Sequence, residues 1–278
     1  MAITKKKAKQ IQKRCLKVGI WKTAKEEGVS EATIERYLRL AEGSTDGEYL
    51  TDVCPTYRKE QLSKDTYRVL IIGDLHTPFD YEPYFDHCCS VYDKYQCDTV
   101  VFIGDIIDNH YSSYHETDAD GMGGEEELDC AVQHLARWYE AFPVADITIG
   151  NHDRMVMRKA QTSAIPTRWI RDYKEVLETP EWNFIDRVVY DDVQYIHGEG
   201  GVARTRALKD QMSTVQGHLH TKCFTDWVPG AIDNSFAMQV GCGIDRESYA
   251  MAYAKNFGTP AIACGVVLGG KVAINEVM

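Results

Sequence analysis

The stretch Ile103-Gly104-Asp105-Ile106-Ile107-Asp108-Asn109-His110 follows the apolar run 98–103 and places two carboxylates, an amide and an imidazole within six residues. An apolar run that ends at a glycine is typical of a strand that delivers Asp105 at its carboxyl end. Open α/β sheets bind ligands just beyond the carboxyl ends of their strands. The stretch alone leaves Asp105 as either a ligand or a turn residue, so its partners must come from other segments.

Similar polar side chains follow four other strand-like segments. In an extended segment, a spacing of two places both side chains of a pair on one face. Taken singly, such residues are more often surface or turn residues, but five groups in chain order predict a metal site. Imidazole and carboxylate donors together suit Mn²⁺, Fe, Zn²⁺ or Co²⁺ better than Ca²⁺ or Mg²⁺. The further groups are Asp74 with His76, Asn151 with His152, His197, and His218 with His220.

The order of predicted elements indicates an α/β domain. Strands at 67–72, 98–103 and 145–149 alternate with helices at 82–96 and 125–141, which favours a sheet with helices against it. The last third is rich in strands, and its pattern predicts two sheets packed face to face with helices outside. The expected strands there are a hairpin of 182–190 and 193–197, then 213–217, 222–228, 235–240, 261–268 and 271–277.

Bulk composition places the chain among ordinary globular proteins. Its 278 residues are 44% hydrophobic and 26% charged, enough for one large domain and a small appendage. The sequence contains no run of about 18 apolar residues, so no membrane span is predicted, and no signal peptide is evident. The nine cysteines are scattered without a CxxC pair, which favours reduced thiols and a cytoplasmic location.

The net charge of −11 is unevenly distributed. Residues 1–41 hold eight lysines and three arginines against four glutamates, so this head has a charge of +7 and the remainder sums to −18. A basic head on an acidic body suggests modules with different partners. We therefore expect a head at 1–41, a linker at 42–66 and a catalytic domain at 67–278.

The head is predicted to contain three helices, at 4–17, 20–27 and 31–41. A glycine turn precedes the third helix, Ser30 is a suitable N-cap, and Arg36 and Arg39 fall on its outer face. This pattern resembles a helix-turn-helix of the resolvase or homeodomain-like kind, which implies DNA binding through those arginines. The alternative is a small three-helix head that binds a protein.

Five blocks in chain order resemble the calcineurin-like metallophosphoesterases. The resemblance covers residues 67–278 and implies a four-layer α/β/β/α sandwich of two mixed sheets, to which this chain adds a small all-α N-terminal domain. The blocks are Asp74-Leu75-His76, Gly104-Asp105-Ile106-Ile107-Asp108, Gly150-Asn151-His152-Asp153, His197-Gly198 and Gly217-His218-Leu219-His220.

The resemblance also implies a role for each block. One metal ion would be held by Asp74, His76 and His220, and the other by Asn151, His197 and His218. Asp105 would bridge two divalent transition-metal ions. Mn²⁺ is the expected ion, with Fe, Zn²⁺, Co²⁺ and Ni²⁺ as alternatives. A metal-bridging hydroxide would attack phosphorus. As the catalytic pair, His152 would meet the phosphate or leaving oxygen and Asp108 would orient His152.

The substrate is predicted from departures within these blocks. Protein phosphatases of this superfamily have arginine and glutamate where this chain has Asn109 and Asp153, so that branch is disfavoured. Asn109 and His110 resemble the nuclease and phosphodiesterase branches, and with Arg154 they are the predicted substrate contacts. The basic segment that begins at Arg154 either faces a phosphate substrate or is a solvated surface.

Three hypotheses follow. The first is a phosphodiesterase or nuclease acting on DNA, guided by the basic head. The second is a phosphomonoesterase or small-molecule phosphodiesterase whose head recruits a protein partner. The third is a non-enzymatic regulator that keeps the metal site as a structural core. No membrane partner is expected, and the sequence leaves a homo-oligomer open.

Overall fold

The computed structural model describes residues 5–18, 20–27, 34, 57–58, 66–114, 118–230, 234–248 and 258–278. The chain divides into two compact units, Met1–Val53 and Cys54–Met278. None of the helices among these residues has the length and apolar character needed to cross a bilayer.

The first unit contains two of the three predicted head helices, α1 (Lys5–Val18) and α2 (Ile20–Glu27). The Arg14 guanidinium on α1 pairs with Glu26 on α2 at 2.9 Å, and Ile11 and Ala24 are buried. The predicted third helix, with Arg36 and Arg39, lies outside the described residues apart from the buried Ile34. The helix-turn-helix therefore stays a prediction.

The second unit contains two six-stranded sheets, and both are mixed. In the first sheet β2 to β5 run parallel, whereas β11 is antiparallel to β2 and β12. Its spatial order is β12 (Val272–Val277), β11 (Ala263–Leu268), β2 (Arg68–Ile72), β3 (Thr99–Phe102), β4 (Asp146–Thr148) and β5 (Asn183–Ile185).

The second sheet combines parallel pairs with two antiparallel ones, β6–β7 and β9–β10. Its strand β1 lies within the segment 42–66. The spatial order is β1 (Tyr57–Arg58), β6 (Arg187–Tyr190), β7 (Val193–Ile196), β8 (Ser213–Gln216), β10 (Ser235–Gln239) and β9 (Phe224–Val228).

Alternation along the strands creates the layers. On β2, Leu70 and Ile72 pack in the core beneath α3 (Glu82–Tyr95) and α4 (Gly124–Ala141), which includes Trp138. The intervening residues Val69 and Ile71 pack instead against the strands of the second sheet. The outer face of that sheet meets α7 (Ala203–Asp210) through small alanines. This order, helices, sheet, sheet, helix, confirms the predicted α/β/β/α sandwich.

The segment 182–190, predicted as one strand, is instead two. Its first part is β5 of the first sheet and its second part is β6 of the second, because the chain crosses between sheets at Asp186. The predicted hairpin survives as β6 and β7, with Asp191 and Asp192 both at positive φ in the turn. The basic segment forms α5 (Met155–Thr162), a 3₁₀ helix (Thr167–Trp169) and α6 (Tyr173–Val176).

A buried acid fixes the loop that follows β2. The Asp80 side chain is fully buried and accepts hydrogen bonds at 2.6 Å from His134 and from Arg137, both on α4. Burial raises the pKa of Asp80, but these two partners outweigh it and hold the pKa below its ordinary value. The loop between His76 and α3 is thereby held against α4.

Asp80→Asn should destabilise the fold by about 2–3 kcal/mol at neutral pH, because a charged acceptor of two bonds is lost. Since the folded pKa is lowered, this stabilisation is present above the unfolded pKa of about 4 and disappears as pH falls through the folded value. Urea unfolding of both proteins from pH 7 to pH 3 measures it, with the exposed Asp86→Asn as control. A difference of equal size at both ends of that range would contradict the assignment.

Candidate metal centre

The polar side chains predicted to form the site do converge at one end of the sandwich. Each follows the carboxyl end of a strand, and both sheets contribute, so the two sheets meet at the site. The first sheet supplies Asp74 after β2, Asp105 after β3 and Asn151 after β4, and the second supplies His197 after β7 and His218 and His220 after β8.

One donor cluster comprises Asp74, His76, Asp105 and His220, with one donor atom from each lying within 4.8 Å of the others. The Nε2 atoms of His76 and His220 are 3.0 Å apart, and His220 Nε2 lies 3.3 Å from Asp74 Oδ2. Except for His220, these residues are almost fully buried. The cluster contains the first predicted ligand set together with Asp105.

The second donor cluster comprises Asp105, His197 and His218. His197 Nε2 lies 3.2 Å from Asp105 Oδ2 and 3.0 Å from Asn151 Oδ1. Asp105 belongs to both clusters, since its Oδ2 is also 3.7 Å from His76 Nε2. Its position between the two groups is the geometry that a bridging carboxylate requires.

Hydrogen bonds on the far side of each imidazole set its orientation. His197 Nδ1 is 2.9 Å from the Ile103 carbonyl oxygen, and His76 Nδ1 is 2.6 Å from Asp108 Oδ1. Because both partners are acceptors, we assign the proton to Nδ1 in each ring, which leaves the Nε2 lone pair directed into the cluster. Burial lowers the pKa of His197, but the Asp105 carboxylate outweighs it and raises the pKa to about 9, so a ring without a cation carries a second proton on Nε2. A divalent ion bound at Nε2 would replace that proton.

Asp108 lies behind the first cluster and touches three histidines. In addition to the short bond with His76, its carboxylate is 3.4 Å from His152 Nδ1 and 3.6 Å from His110 Nδ1. His152 Nδ1 donates to the Asp108 backbone carbonyl at 2.6 Å, and its amide donates to Asp105 Oδ1 at 2.8 Å. Asp108 therefore contacts a candidate ligand as well as His152.

The electrostatics of His152 favour its protonated form. Burial lowers its pKa, but the Asp105 and Asp108 carboxylates outweigh burial and raise the pKa to about 10. A protonated imidazole beside the two clusters can donate a hydrogen bond or a proton to a phosphate oxygen.

The local backbone differs from the extended form expected for the Asp74–His76 (DxH) and His218–His220 (HxH) pairs. The φ angles of His76, His218 and Asp105 are 53°, 69° and 47°, so the chain turns through the left-handed region at these positions. Leu75 is buried as expected, but Leu219 lies in a turn and is only half-buried. The side chains converge because of these turns rather than because of strand alternation.

Two buried acids hold the loops, a role that was not predicted for either of them from the sequence. Asp153 accepts hydrogen bonds from the amides of Gly150, Asp105 and Ile106 at 2.7–3.1 Å. Burial and the Asp105 charge raise its pKa to about 6. Glu127 on α4 accepts from the His110 amide at 2.7 Å. Asp153 is the last residue of the Gly150-Asn151-His152-Asp153 block, whereas Glu127 gives no local signal in the sequence.

Two glycines allow this close approach. A Cβ at Gly150 would collide with the Asp105 carboxylate, and one at Gly217 would collide with that of Asp74. Neither position has room for a side chain unless the acid beside it moves.

The predicted substrate contacts are occupied by the protein itself. Asn109 Nδ2 donates to the His152 carbonyl at 2.9 Å, and His110 is buried with Nε2 accepting from the Asp118 amide. Arg154 pairs with Asp186 at 2.8 Å and Glu199 at 3.1 Å. These bonds favour positioning roles over direct substrate contact. Arg36 and Arg39 lie outside the described residues.

A family model for the calcineurin-like phosphoesterases matches residues 67–264. This chain belongs to that family. Its members hold divalent metals and hydrolyse phosphoesters, so the two clusters are the place where such ions fit. A search of curated proteins finds no match.

Three solved structures are similar to this chain at low identity. Vacuolar protein sorting 29 from Cryptosporidium parvum is 14% identical over 77% of this chain and 98% of its own, with a TM-score of 0.39. The E. coli phosphoesterase YfcE is 13% identical over 72% and 87%, with a TM-score of 0.37. A Vps29 single mutant from Entamoeba histolytica is 14% identical over 76% and 99%, with a TM-score of 0.37. Similarity this distant does not indicate what this chain acts on.

The geometry of the donor atoms also fits divalent cations, independently of the family. Asp74 Oδ1 is buried and has no hydrogen-bond partner among the described residues, an arrangement that costs free energy unless a cation binds this oxygen. Beside it, the unprotonated Nε2 of His76 faces the Nε2 of His220 at 3.0 Å. Carboxylate oxygens and imidazole nitrogens held this close are the ligands of a transition-metal ion.

Proposed function

We propose that this chain is a dinuclear-metal phosphodiesterase, specifically a nuclease acting on DNA. The observation that supports it is the Asp105 carboxylate shared by two donor clusters, with His152 beside it. Asp74, His76 and His220 would hold one ion, Asn151, His197 and His218 the other, and Asp105 both. Mn²⁺ is the proposed ion.

The protein residues have separate tasks in this chemistry. Two bound divalent ions supply a water of lowered pKa and neutralise charge on the phosphate oxygens. His152 donates its proton toward the leaving oxygen, and the Asp108 carboxylate keeps the imidazole charged until then. Asn109 and Asp153 hold the loops that present His152 and Asp105.

The preference for DNA rests on the head and on the two departures from the phosphatase pattern. Among the described side chains of α1, four lysines are exposed, as phosphate contacts require: Lys7, Lys9, Lys13 and Lys17. Asn109 and Asp153 stand where protein phosphatases of this superfamily have arginine and glutamate. We propose that the head binds DNA as a helix-turn-helix through Arg36 and Arg39.

A substrate screen tests this function. The full chain with Mn²⁺ is incubated with single- and double-stranded DNA, bis-p-nitrophenyl phosphate and p-nitrophenyl phosphate. We expect cleavage of DNA and of the diester, with little release from the monoester. Turnover of the monoester alone, with no DNA retained, would instead support the phosphomonoesterase with a protein-recruiting head.

His152→Ala separates an enzyme from a regulator that keeps the centre as a structural core. Since His152 is not among the proposed ligands, we expect kcat to fall about 10²–10⁴-fold while both metal equivalents remain. Turnover on the diester and metal content are measured together, with His87→Ala on α3 as the control histidine. Absence of turnover in the wild-type protein, with metal bound, would indicate the regulator.

A further inference from the structure

The segment after the candidate centre has an unusual charge for this body. Six cations occur between Arg154 and Lys174, within a part of the chain whose overall charge is strongly negative. Arg154 and Arg171 pair with carboxylates. In the described part of the chain, no carboxylate pairs with Arg158, Lys159 or Arg168, and both arginines are exposed. These three cations are available to a polyanion.

Two aromatic rings lie among these cations. The Tyr114 ring is 58% exposed and has Arg158 Cζ at 5.2 Å and Lys159 Nζ at 5.4 Å from its centroid. Trp169 is 81% exposed. An indole this exposed, lying among cations, leaves most of its ring free to stack against a partner.

The surface is continuous with the centre. α5 begins at Met155, whose amide donates to the His152 carbonyl at 3.0 Å, and the 3₁₀ helix that carries Arg168 and Trp169 packs against α5. We call Tyr114, Arg158, Lys159, Arg168 and Trp169 the basic face. Its first residue on α5, Arg158, lies six residues along the chain from His152.

We infer that the basic face binds single-stranded nucleic acid and leads it to the metal centre, an inference that rests on the proposed nuclease function. Cations match the phosphates, and the exposed indole offers a stacking surface that only an unpaired base can use. Tyr114 already has its neighbouring cations in place beside its ring. A duplex hides its base faces, so the tryptophan would have no role there.

Binding is tested without cleavage. Full-length protein in EDTA is titrated into a fluorescein-labelled single-stranded DNA of about 20 nucleotides, and anisotropy is followed at several salt concentrations. Combining Arg158→Gln with Lys159→Gln should lower the slope of log K against log salt by about 1.4, since each phosphate contact on a single strand contributes about 0.7. Trp169→Ala should weaken binding at least about five-fold with little change in slope.

Matched controls remove the same chemistry elsewhere. Lys209→Gln combined with Lys271→Gln removes two exposed cations, and Trp227→Ala removes a half-exposed indole on β9. Both controls should bind like the wild type. An RNA strand of the same sequence should respond to the basic-face variants as DNA does, because the proposed contacts are to phosphates and base faces.

Turnover of bis-p-nitrophenyl phosphate with Mn²⁺ distinguishes the two proposals, because this ester has a single phosphate and none of the nucleobases that the basic face is proposed to bind. We expect every variant to retain it. A wild-type protein inactive on this ester would contradict the proposed function while leaving the binding result intact. Unchanged single-strand binding in the basic-face variants, or an equal loss of duplex binding in Trp169→Ala, would overturn the inference.

Discussion

Replacing Asp105 with asparagine is expected to lower kcat/KM by more than about 10³-fold, a loss of about 4 kcal/mol, and to weaken both metal ions together. Asp105 is the one residue common to the Asp74–His76–Asp105–His220 cluster and the Asp105–His197–His218 cluster, with its Oδ2 3.7 Å from His76 Nε2 and 3.2 Å from His197 Nε2. An amide keeps the size of the side chain but removes the negative charge that both ions would share. A change at any other proposed ligand should weaken one ion more than the other.

The backbone at Asp105 also makes asparagine a fair test. Its φ of 47° lies in the left-handed region, which asparagine adopts readily, so the variant should fold. Asp192→Asn is the matched control, since Asp192 is exposed in the β6–β7 turn with φ of 60°. Metal content after dialysis and titration with Mn²⁺ measure the effect. Two full equivalents bound to Asp105→Asn at wild-type affinity would show that Asp105 does not bridge.

The strand pattern of the sequence was enough to predict that the side chains of the candidate site lie close together. Each of Asp74, Asp105, Asn151 and His197 follows an apolar run that forms a buried strand, and parallel strands bring their carboxyl ends to a common edge. The order of strands along the chain is therefore enough to predict which residues meet, whereas the pairing of strands in the second sheet cannot be predicted from it.

The conformation of the loops could not be predicted from the strand pattern. Spacing indicated an extended chain at the DxH and HxH pairs, yet His76 and His218 adopt positive φ, because hydrogen bonds from distant residues fix their loops. The His76 amide donates to the Asp105 carbonyl at 2.9 Å, and the His218 amide donates to Asp74 Oδ2 at 2.8 Å. Such partners are separated by 29 and 144 residues, so no local pattern reports them.

The same reason explains why the contact between Asp108 and His76 was not predicted. The family resemblance assigns it to His152, but its shortest side-chain bond is with His76, at 2.6 Å against 3.4 Å. Burial raises the pKa of Asp108, and hydrogen bonds from His110, His152 and His76 outweigh it and hold the pKa well below its ordinary value. A carboxylate kept ionised between three imidazoles can fix a ligand and the proton donor together.

Asp108→Asn should therefore have two effects that can be measured separately. Replacing the carboxylate that accepts from His76 Nδ1 with a neutral amide should weaken the ion of the Asp74–His76–His220 cluster about 10–100-fold, as for other changes behind a metal ligand. Loss of the charge beside His152 should lower its pKa and reduce kcat about 10²–10⁴-fold. Titration with Mn²⁺ should show one weakened equivalent and one unchanged.

A double variant decides whether Asp108 acts through one histidine or two. If it acted only through His152, Asp108→Asn added to His152→Ala would change neither rate nor metal affinity any further. Because the structure links Asp108 to His76 as well, we expect the double variant to match His152→Ala in rate at saturating Mn²⁺ but to need more Mn²⁺ to reach it. Identical Mn²⁺ dependence in the two proteins would leave the bond to His76 without a part in metal binding, and Asp108 would then serve the proton donor alone.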